Sequence, residues 1–173
     1  RKTSGRRIDS IRVDLATGDD GFKYKARVSN AKDNPQICFR AMLDGSLFAT
    51  GSDINLVISD AHDHVGLRLG LQAMLERGGI RVRLADTAAV IGYRQFKAND
   101  DNYVFVADNK RVAANMLLRA DDGTGLQLYS DNENLEVLQD ITLALNKIDI
   151  AEIASVLPYF PKVSGILNGD FHA

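Results

Sequence analysis

The chain has 173 residues, 45% of them apolar, which is enough to build a hydrophobic core over a length typical of one domain. Its 21 basic and 23 acidic residues are interspersed and give a formal charge of −2, which excludes the basic surface that a nucleic-acid-binding protein needs. The single cysteine, Cys38, excludes an internal disulfide and a CxxC redox pair, and no apolar stretch approaches the roughly 20 residues of a membrane-spanning helix.

Apolar and polar residues alternate from near the start of the chain to about Leu145, and Gly, Asp and Asn turns interrupt the alternation. This pattern predicts short β-strands joined by turns. Residues 11–28 form a predicted hairpin around the turn Gly18–Gly21, and Asp44-Gly45 predicts a second hairpin because this dipeptide suits a two-residue type I′ turn. Further strands are predicted at residues 54–58, 80–84, 103–106, 112–118, 126–128 and 141–145.

The segment Val65–Glu76 fits two secondary structures. Its apolar residues alternate without a break, as in a strand, but Leu67, Leu71 and Met74 would also line one face of a helix. The strand is favoured because Gly70 inside a helix would cost about 1 kcal/mol relative to alanine. A strand of this length would span about 40 Å, which predicts an extended sheet.

One short helix is predicted near residues 149–157. Asp149 and Glu152 form a capping-box-like start, and Pro158 stops the helical spacing of apolar residues. A strand resumes at residues 163–171. The fold predicted from these elements is all-β: an extended, curved sheet folded into a hydrophobic groove, with one short helix.

No linker rich in Pro, Gly or Ser divides the chain, so we expect residues 1–173 to form a single segment. The chain begins at Arg1 without a methionine and stops at Ala173 within an alternating stretch. We therefore expect this segment to be cut from a much longer protein, with any anchor or targeting signal outside it.

The residues Asp60, His62 and His64 are the most chemically suggestive group. Two histidines two positions apart point to the same face of an extended chain, and they could bind a metal together with the aspartate. The alternative is a solvated turn between two strands. Because no further ligand completes the coordination sphere, we assign no metal site.

Other reactive groups fit structural roles. Cys38, beside Phe39 on an alternating stretch, is interpreted as a buried thiol. Residues 99–102 and 131–134 lack the glycine and the distal glutamate of a calcium loop, so they are interpreted as polar turns. No GxSxG elbow or phosphate-binding loop is present, and no catalytic residue or cofactor is assigned.

Several stretches together resemble the translocation and assembly module (TamB) family, which is AsmA-like. The match is clearest from about residue 81 to the end, and it rests on accumulated pattern rather than on a catalytic motif. The stretches are Thr87–Phe96, Asn99–Phe105, Asp122–Leu126, Leu138–Thr142 and Leu157–Asp170.

The resemblance implies a periplasmic protein that is anchored in the inner membrane at its N-terminus. The C-terminal region of such proteins meets an outer-membrane barrel of the TamA or BamA type. Their body is a long β-sheet folded into a groove with an apolar interior, which is proposed to shield phospholipid acyl chains or to chaperone strands of outer-membrane barrel proteins. The resemblance implies no metal, cofactor or catalytic residue.

The residues expected to line a lipid groove are the apolar members of the alternating strands. They are Val65, Leu67, Leu69, Leu71, Ala73, Leu75, Ile80, Val82, Leu84, Val112, Ala114, Met116, Leu118, Leu126, Leu128, Ile141, Leu143 and Leu145. The same alternation also fits a closed β-sandwich, in which a second sheet covers each apolar face. A lipid conduit, an assembly chaperone and a ligand-binding sandwich are therefore the three functions to separate.

Overall fold

The chain folds into one antiparallel sheet of 13 strands with one short helix, in a computed structural model that describes residues 8–19, 21–30, 39–85, 88–131, 140–156 and 162–173. The predicted all-β fold with a single short helix is confirmed. The interpretation of Cys38 as a buried thiol lies outside the described residues, as does most of the predicted turn at 131–134.

The elements follow one another as a meander. Their bounds are β1 Ile8–Gly18, β2 Gly21–Asn30, β3 Phe39–Phe48, β4 Gly51–Asp60, β5 Val65–Glu76, β6 Gly79–Leu84, β7 Ala88–Ile91, β8 Arg94–Ala98, β9 Tyr103–Ala107, β10 Val112–Arg119, β11 Gly125–Tyr129, β12 Thr142–Asp149, α1 Ile150–Ala154 and β13 Ile166–His172.

Each strand pairs with its neighbours in sequence, except in the middle of the sheet. There β6 and β7 lie end to end along β5, while β8 and β9 lie end to end along β10. Each piece of the first broken strand pairs with one piece of the second, β6 with β9 and β7 with β8. The described strands therefore form one continuous hydrogen-bonded sheet, and not the two separate sheets of a sandwich.

Side-chain amides replace backbone hydrogen bonds at the two interruptions, between β6 and β7 and between β8 and β9. Asn102 is buried; its Oδ1 accepts a bond from the Leu84 backbone N–H at 2.7 Å, and its Nδ2 donates to the Asn99 carbonyl at 2.8 Å. The Asn99 Oδ1 in turn accepts from the Leu117 N–H at 2.9 Å. These bonds satisfy buried polar groups that the interrupted ladder leaves without strand partners. The predicted polar turn at residues 99–102 is confirmed.

The connection after β12 shows that the sheet is curled. Five strand-to-strand steps separate β12 from β5, a distance of about 24 Å in a flat sheet. The mostly helical segment from Asp149 to Val156 reaches only about 10 Å. Nevertheless, a Cβ built on Gly66 of β5 would lie 3.1 Å from Val156 Cγ2. The strands from β5 to β12 therefore bend toward one another at the end of the sheet where α1 lies, called here the helix end; the other is the open end.

The remaining predictions have clear outcomes. Val65–Glu76 is a strand of 12 residues, as favoured. The short helix is also confirmed, because Asp149 is its N-cap and accepts a bond from the Ala151 N–H at 2.9 Å. After the helix, the predicted strand is present as β13.

The predicted turn at Asp44-Gly45 is wrong. Strand β3 runs straight through this dipeptide, and the chain turns after Phe48 instead. Gly45 is required for a different reason: a Cβ built on it would lie 1.9 Å from the Asp53 carbonyl oxygen and 2.6 Å from the Tyr24 hydroxyl. Here the glycine allows close approach of a neighbouring strand and a ring.

Substitution of Gly45 by alanine should destabilise the sheet by about 1–3 kcal/mol, because the added methyl group has no space. Urea unfolding followed by circular dichroism measures the change. Gly18→Ala is the matched control, since the nearest atom to its Cβ, the Gly21 carbonyl oxygen, lies 3.9 Å away. Equal midpoints for the two variants would contradict the packing described at Gly45.

Candidate functional site

Cross-strand pairing collects apolar side chains on one face of the sheet, called here the apolar face. Residues that pair directly in an antiparallel sheet point to the same side, so rows of side chains can be followed from strand to strand. On β1 to β5, one such row is Val13, Ala26, Leu43, Leu56 and Leu69.

The apolar face continues through the second half of the sheet. Two rows cross from β5 to β10 near the open end, and two more cross from β10 toward β13. They are Leu75, Ile80, Val106 and Val112; Ala73, Val82, Val104 and Ala114; Met116, Leu128, Leu143 and Phe171; and Leu118, Leu126 and Leu145.

All but one of the predicted lining residues share this face. Leu67 and Leu84 belong to it through their pairing with Ile58 and Leu71, and Ile141 lies beside Leu143 in the same concavity. Val65 is the exception. The register shifts after Ile58, so that Val65 pairs with Ser59. Ser59 lies on the opposite face of the sheet, and Val65 lies there with it.

Sequence reasoning missed much of the face. The apolar residues of β1 to β4 showed the same alternation but were not assigned to it. The β7–β8 hairpin was missed because its strands have only four and five residues. Its two-residue turn, Gly92-Tyr93, has positive φ at both positions, 61° and 64°, which is the geometry of a type I′ turn. A glycine between two short apolar runs was the available signal.

Burial on the apolar face differs between its two ends. Near the helix end, Leu84, Phe96 and Ile148 are buried. Near the open end, Leu75 and Ile80 are 58% and 42% exposed. No large side chain of the described residues is fully buried. Much of the apolar face is therefore left uncovered by the described part of the chain, and most of that uncovered area lies away from α1.

Helix α1 covers the apolar face at the helix end. Arg94 lies on the apolar face by register, because it pairs with Ile91, which in turn pairs with Leu67. Its guanidinium binds both carboxylate oxygens of Glu152 on α1, with Nη2 at 2.9 and 3.0 Å. On the other side it pairs with Asp122 in the β10–β11 turn.

The charges of Arg94, Glu152 and Asp122 stabilise one another. A backbone bond from Thr124 and the nearby Arg94 guanidinium lower the pKa of Asp122. Hydrogen bonds to Glu152 and the two carboxylate charges raise the pKa of Arg94 above its already high value. Arg94 therefore stays charged at any physiological pH and joins α1, the β7–β8 hairpin and the β10–β11 turn.

An apolar concavity of about 400 Å³ lies over β10 to β13 near the open end. Its lining is Val112, Leu128, Ile141, Leu143, Phe171, His172 and Ala173. His172 Nε2 lies 2.7 Å from the Asp140 carboxylate at its rim. The volume is within the range of about 300–1,000 Å³ that is usual for small-ligand pockets.

The group Asp60, His62 and His64 forms a hydrogen-bonded turn. One Asp60 oxygen accepts the backbone N–H groups of both histidines at 2.9 Å. Partial desolvation raises the pKa of Asp60, but these bonds and the two imidazoles outweigh it and lower the pKa. Among the residues that the structure describes, no three His, Cys, Asp or Glu side chains are placed to hold a metal ion.

Comparison with family models, curated proteins and solved structures finds no match for this chain. The resemblance to the translocation and assembly module family therefore stays a prediction from the sequence. Across the described ranges, no helix combines the length and the apolar character needed to cross a bilayer.

Replacing Arg94 by methionine should loosen α1, because Glu152 and Asp122 both lose their partner. Since Arg94 is partly exposed, the loss is about 1 kcal/mol, equivalent to about fivefold faster amide exchange in residues 150–156. Hydrogen exchange with mass spectrometry measures this. Arg83→Met, which removes an exposed arginine from the opposite face, should leave the exchange of α1 unchanged. Unchanged exchange in Arg94→Met would show that the ion pairs do not hold the helix.

Proposed function

We propose that this chain presents its apolar face to the acyl chains of phospholipid. It would do so as a periplasmic segment of a TamB-like protein, anchored in the inner membrane, that passes lipid between the inner and outer membranes. The single observation that carries the proposal is the continuous row pattern of aliphatic side chains that the described residues leave partly exposed. Leu75, Ile80 and Val106 are adjacent in one such row and are 58%, 42% and 39% exposed.

Aliphatic surface of this extent has a free-energy cost in water. Each CH₂ group transferred from water to an apolar environment contributes about 0.8 kcal/mol, so an acyl chain and the apolar face stabilise each other when they meet. Extended apolar patches on proteins mark binding surfaces more often than they mark plain exterior. Toward the open end, away from the Arg94 cluster, the described rows of this face are mostly aliphatic, which favours a hydrocarbon over a polar ligand.

The opposite face supports the assignment by contrast. One of its rows carries charges of alternating sign, Asp14, Lys25 and Asp44, followed by the polar Asn55. Two aromatic rings on that face lie under a cation: the Arg81 guanidinium is 4.5 Å from the centre of the Tyr103 ring and 5.3 Å from that of Phe105. One face is thus suited to water and the other is not.

A charge placed on the apolar face should weaken lipid binding without unfolding the sheet. The variant Leu69→Glu is compared with Gln72→Glu, which adds the same charge to the opposite face of the same strand. Leu69→Glu should weaken the binding of a fluorescent fatty acid at least about tenfold, since a carboxylate must be desolvated. Gln72→Glu should bind as the natural chain does.

The binding assay is paired with native mass spectrometry and lipid extraction of the purified chain. Phospholipid should accompany the natural chain and Gln72→Glu but not Leu69→Glu, and far-ultraviolet circular dichroism checks that all three are folded. A second variant, Val82→Glu, tests the same face on β6. Equal binding by all variants, or no binding by the natural chain, would refute the lipid proposal.

An assembly chaperone for outer-membrane barrel proteins is the second candidate. The observation that favours it is β13, a sheet edge whose seven residues are all exposed. An exposed edge can add a strand from another chain through backbone hydrogen bonds. A natural chain that keeps a purified, unfolded barrel protein soluble while binding no fatty acid would favour this function over lipid transport.

A further inference from the structure

We infer that the phosphate of a bound lipid lies at the open end of the sheet, against the adjacent β5–β6 and β9–β10 turns, while its acyl chains lie on the apolar face. The inference rests on the proposed function, and it adds the class of headgroup that the chain selects, which is an anionic one. The observation that carries it is a row of exposed aliphatic side chains that ends directly at two turns rich in cations.

The two turns lie side by side in the middle of the sheet. The pairing of β5 with β6 ends just before Arg77 and Gly78, which form a two-residue turn. Strand β6 also pairs with β9, and the Asp108 backbone N–H beyond β9 donates to the Gly78 carbonyl at 2.9 Å. The β5–β6 turn and the β9–β10 turn at residues 108–111 therefore form one continuous border, called here the basic rim.

Cations outnumber carboxylates on the basic rim. Arg77 lies in the first turn, and Asp108, Lys110 and Arg111 lie in the second. Arg77 and Lys110 are exposed, and within the described part of the chain neither of them forms a salt bridge. The carboxylate beside the rim, that of Glu76, is bound by an arginine of the opposite face at 2.7 Å. An anion that reaches the rim therefore meets net positive charge.

The apolar face ends at the basic rim. Its last row there is Leu75, Ile80, Val106 and Val112, which pair in that order across four strands. Leu75 precedes Arg77 by two residues, which is about 7 Å along an extended chain. An amphiphile can therefore place hydrocarbon on the row and its charge on the rim in one bound position. The charge stays at the surface, where it avoids the cost of desolvation.

The helix end is less suited to an anion. Helix α1 covers the apolar face there, and the Arg94 guanidinium is already bound by Glu152 and Asp122. A phosphate would have to displace two carboxylates to reach this arginine, whereas the basic rim offers cations that are not in salt bridges. Because a headgroup also needs water, the covered end favours the orientation in which the headgroup lies at the open end.

Two amphiphiles with the same hydrocarbon chain and opposite charges test the assignment. Dodecyl phosphate and dodecyltrimethylammonium are titrated separately into the natural chain, below their micelle concentrations, and isothermal titration calorimetry gives the two Kd values. The phosphate should bind about tenfold more tightly. Added salt should reduce this preference, because the rim is exposed and its charges are screened.

Removal of the two cations should abolish the preference. The double variant is Arg77→Gln with Lys110→Asn; asparagine is chosen because Lys110 has a φ of 71°, which asparagine tolerates. Binding of dodecyltrimethylammonium should persist, which shows that the apolar face is intact. The matched control, Arg83→Gln with Lys97→Gln, removes two exposed cations from the opposite face and should keep the preference for phosphate.

The outcomes separate this inference from the proposed function. If the natural chain binds neither amphiphile, lipid binding itself is refuted and the inference with it. Equal affinity for both amphiphiles, or a preference that survives in Arg77→Gln with Lys110→Asn, would overturn the headgroup position alone. Inorganic phosphate should weaken the binding of dodecyl phosphate no more than sodium chloride of equal ionic strength does. A larger effect would indicate a site for free phosphate and would also overturn the inference.

Discussion

Register is the constraint on which this structure depends. Every strand is paired with its partners so that aliphatic side chains of successive strands fall in the same rows, and a slip of one residue would transfer a whole strand's apolar set to the charged face. The chain secures register locally. Gly45 lets β4 and the Tyr24 ring approach, while Asn102 and Asn99 connect strands across the break in the ladder.

The curl of the sheet and the covering of its apolar face have separate causes. The right-handed twist of strands bends any wide sheet, but here α1 also draws β12 toward β5. Small residues make this possible: Gly66 and Gly92 lie directly beneath the segment that contains Glu152 and Val156. At the opposite end no described helix crosses the strands. The apolar face is therefore largely buried at the helix end and largely exposed at the open end.

The strands could be predicted from the sequence because successive side chains of a strand point to opposite faces. A sheet with one apolar face therefore requires apolar and polar residues to alternate. The alternation over Val65–Glu76 and the cap at Asp149 were both readable for this reason. Asp44-Gly45 misled because the same dipeptide serves a turn or a close contact, and only the position of Tyr24 decides between them. The β7–β8 hairpin and the register shift at Val65 depend on pairing across the sheet, which no local pattern encodes.

The break in the middle of the sheet has a mechanical consequence. Between β6 and β7, and between β8 and β9, the backbone ladder is interrupted, and the Asn102 and Asn99 amides accept the Leu84 and Leu117 N–H groups there. A region of sheet with fewer cooperative backbone bonds resists local opening less than one with a full ladder. Strands β5 and β10 run unbroken past the interruption on either side, so the opening is confined to the few residues between them.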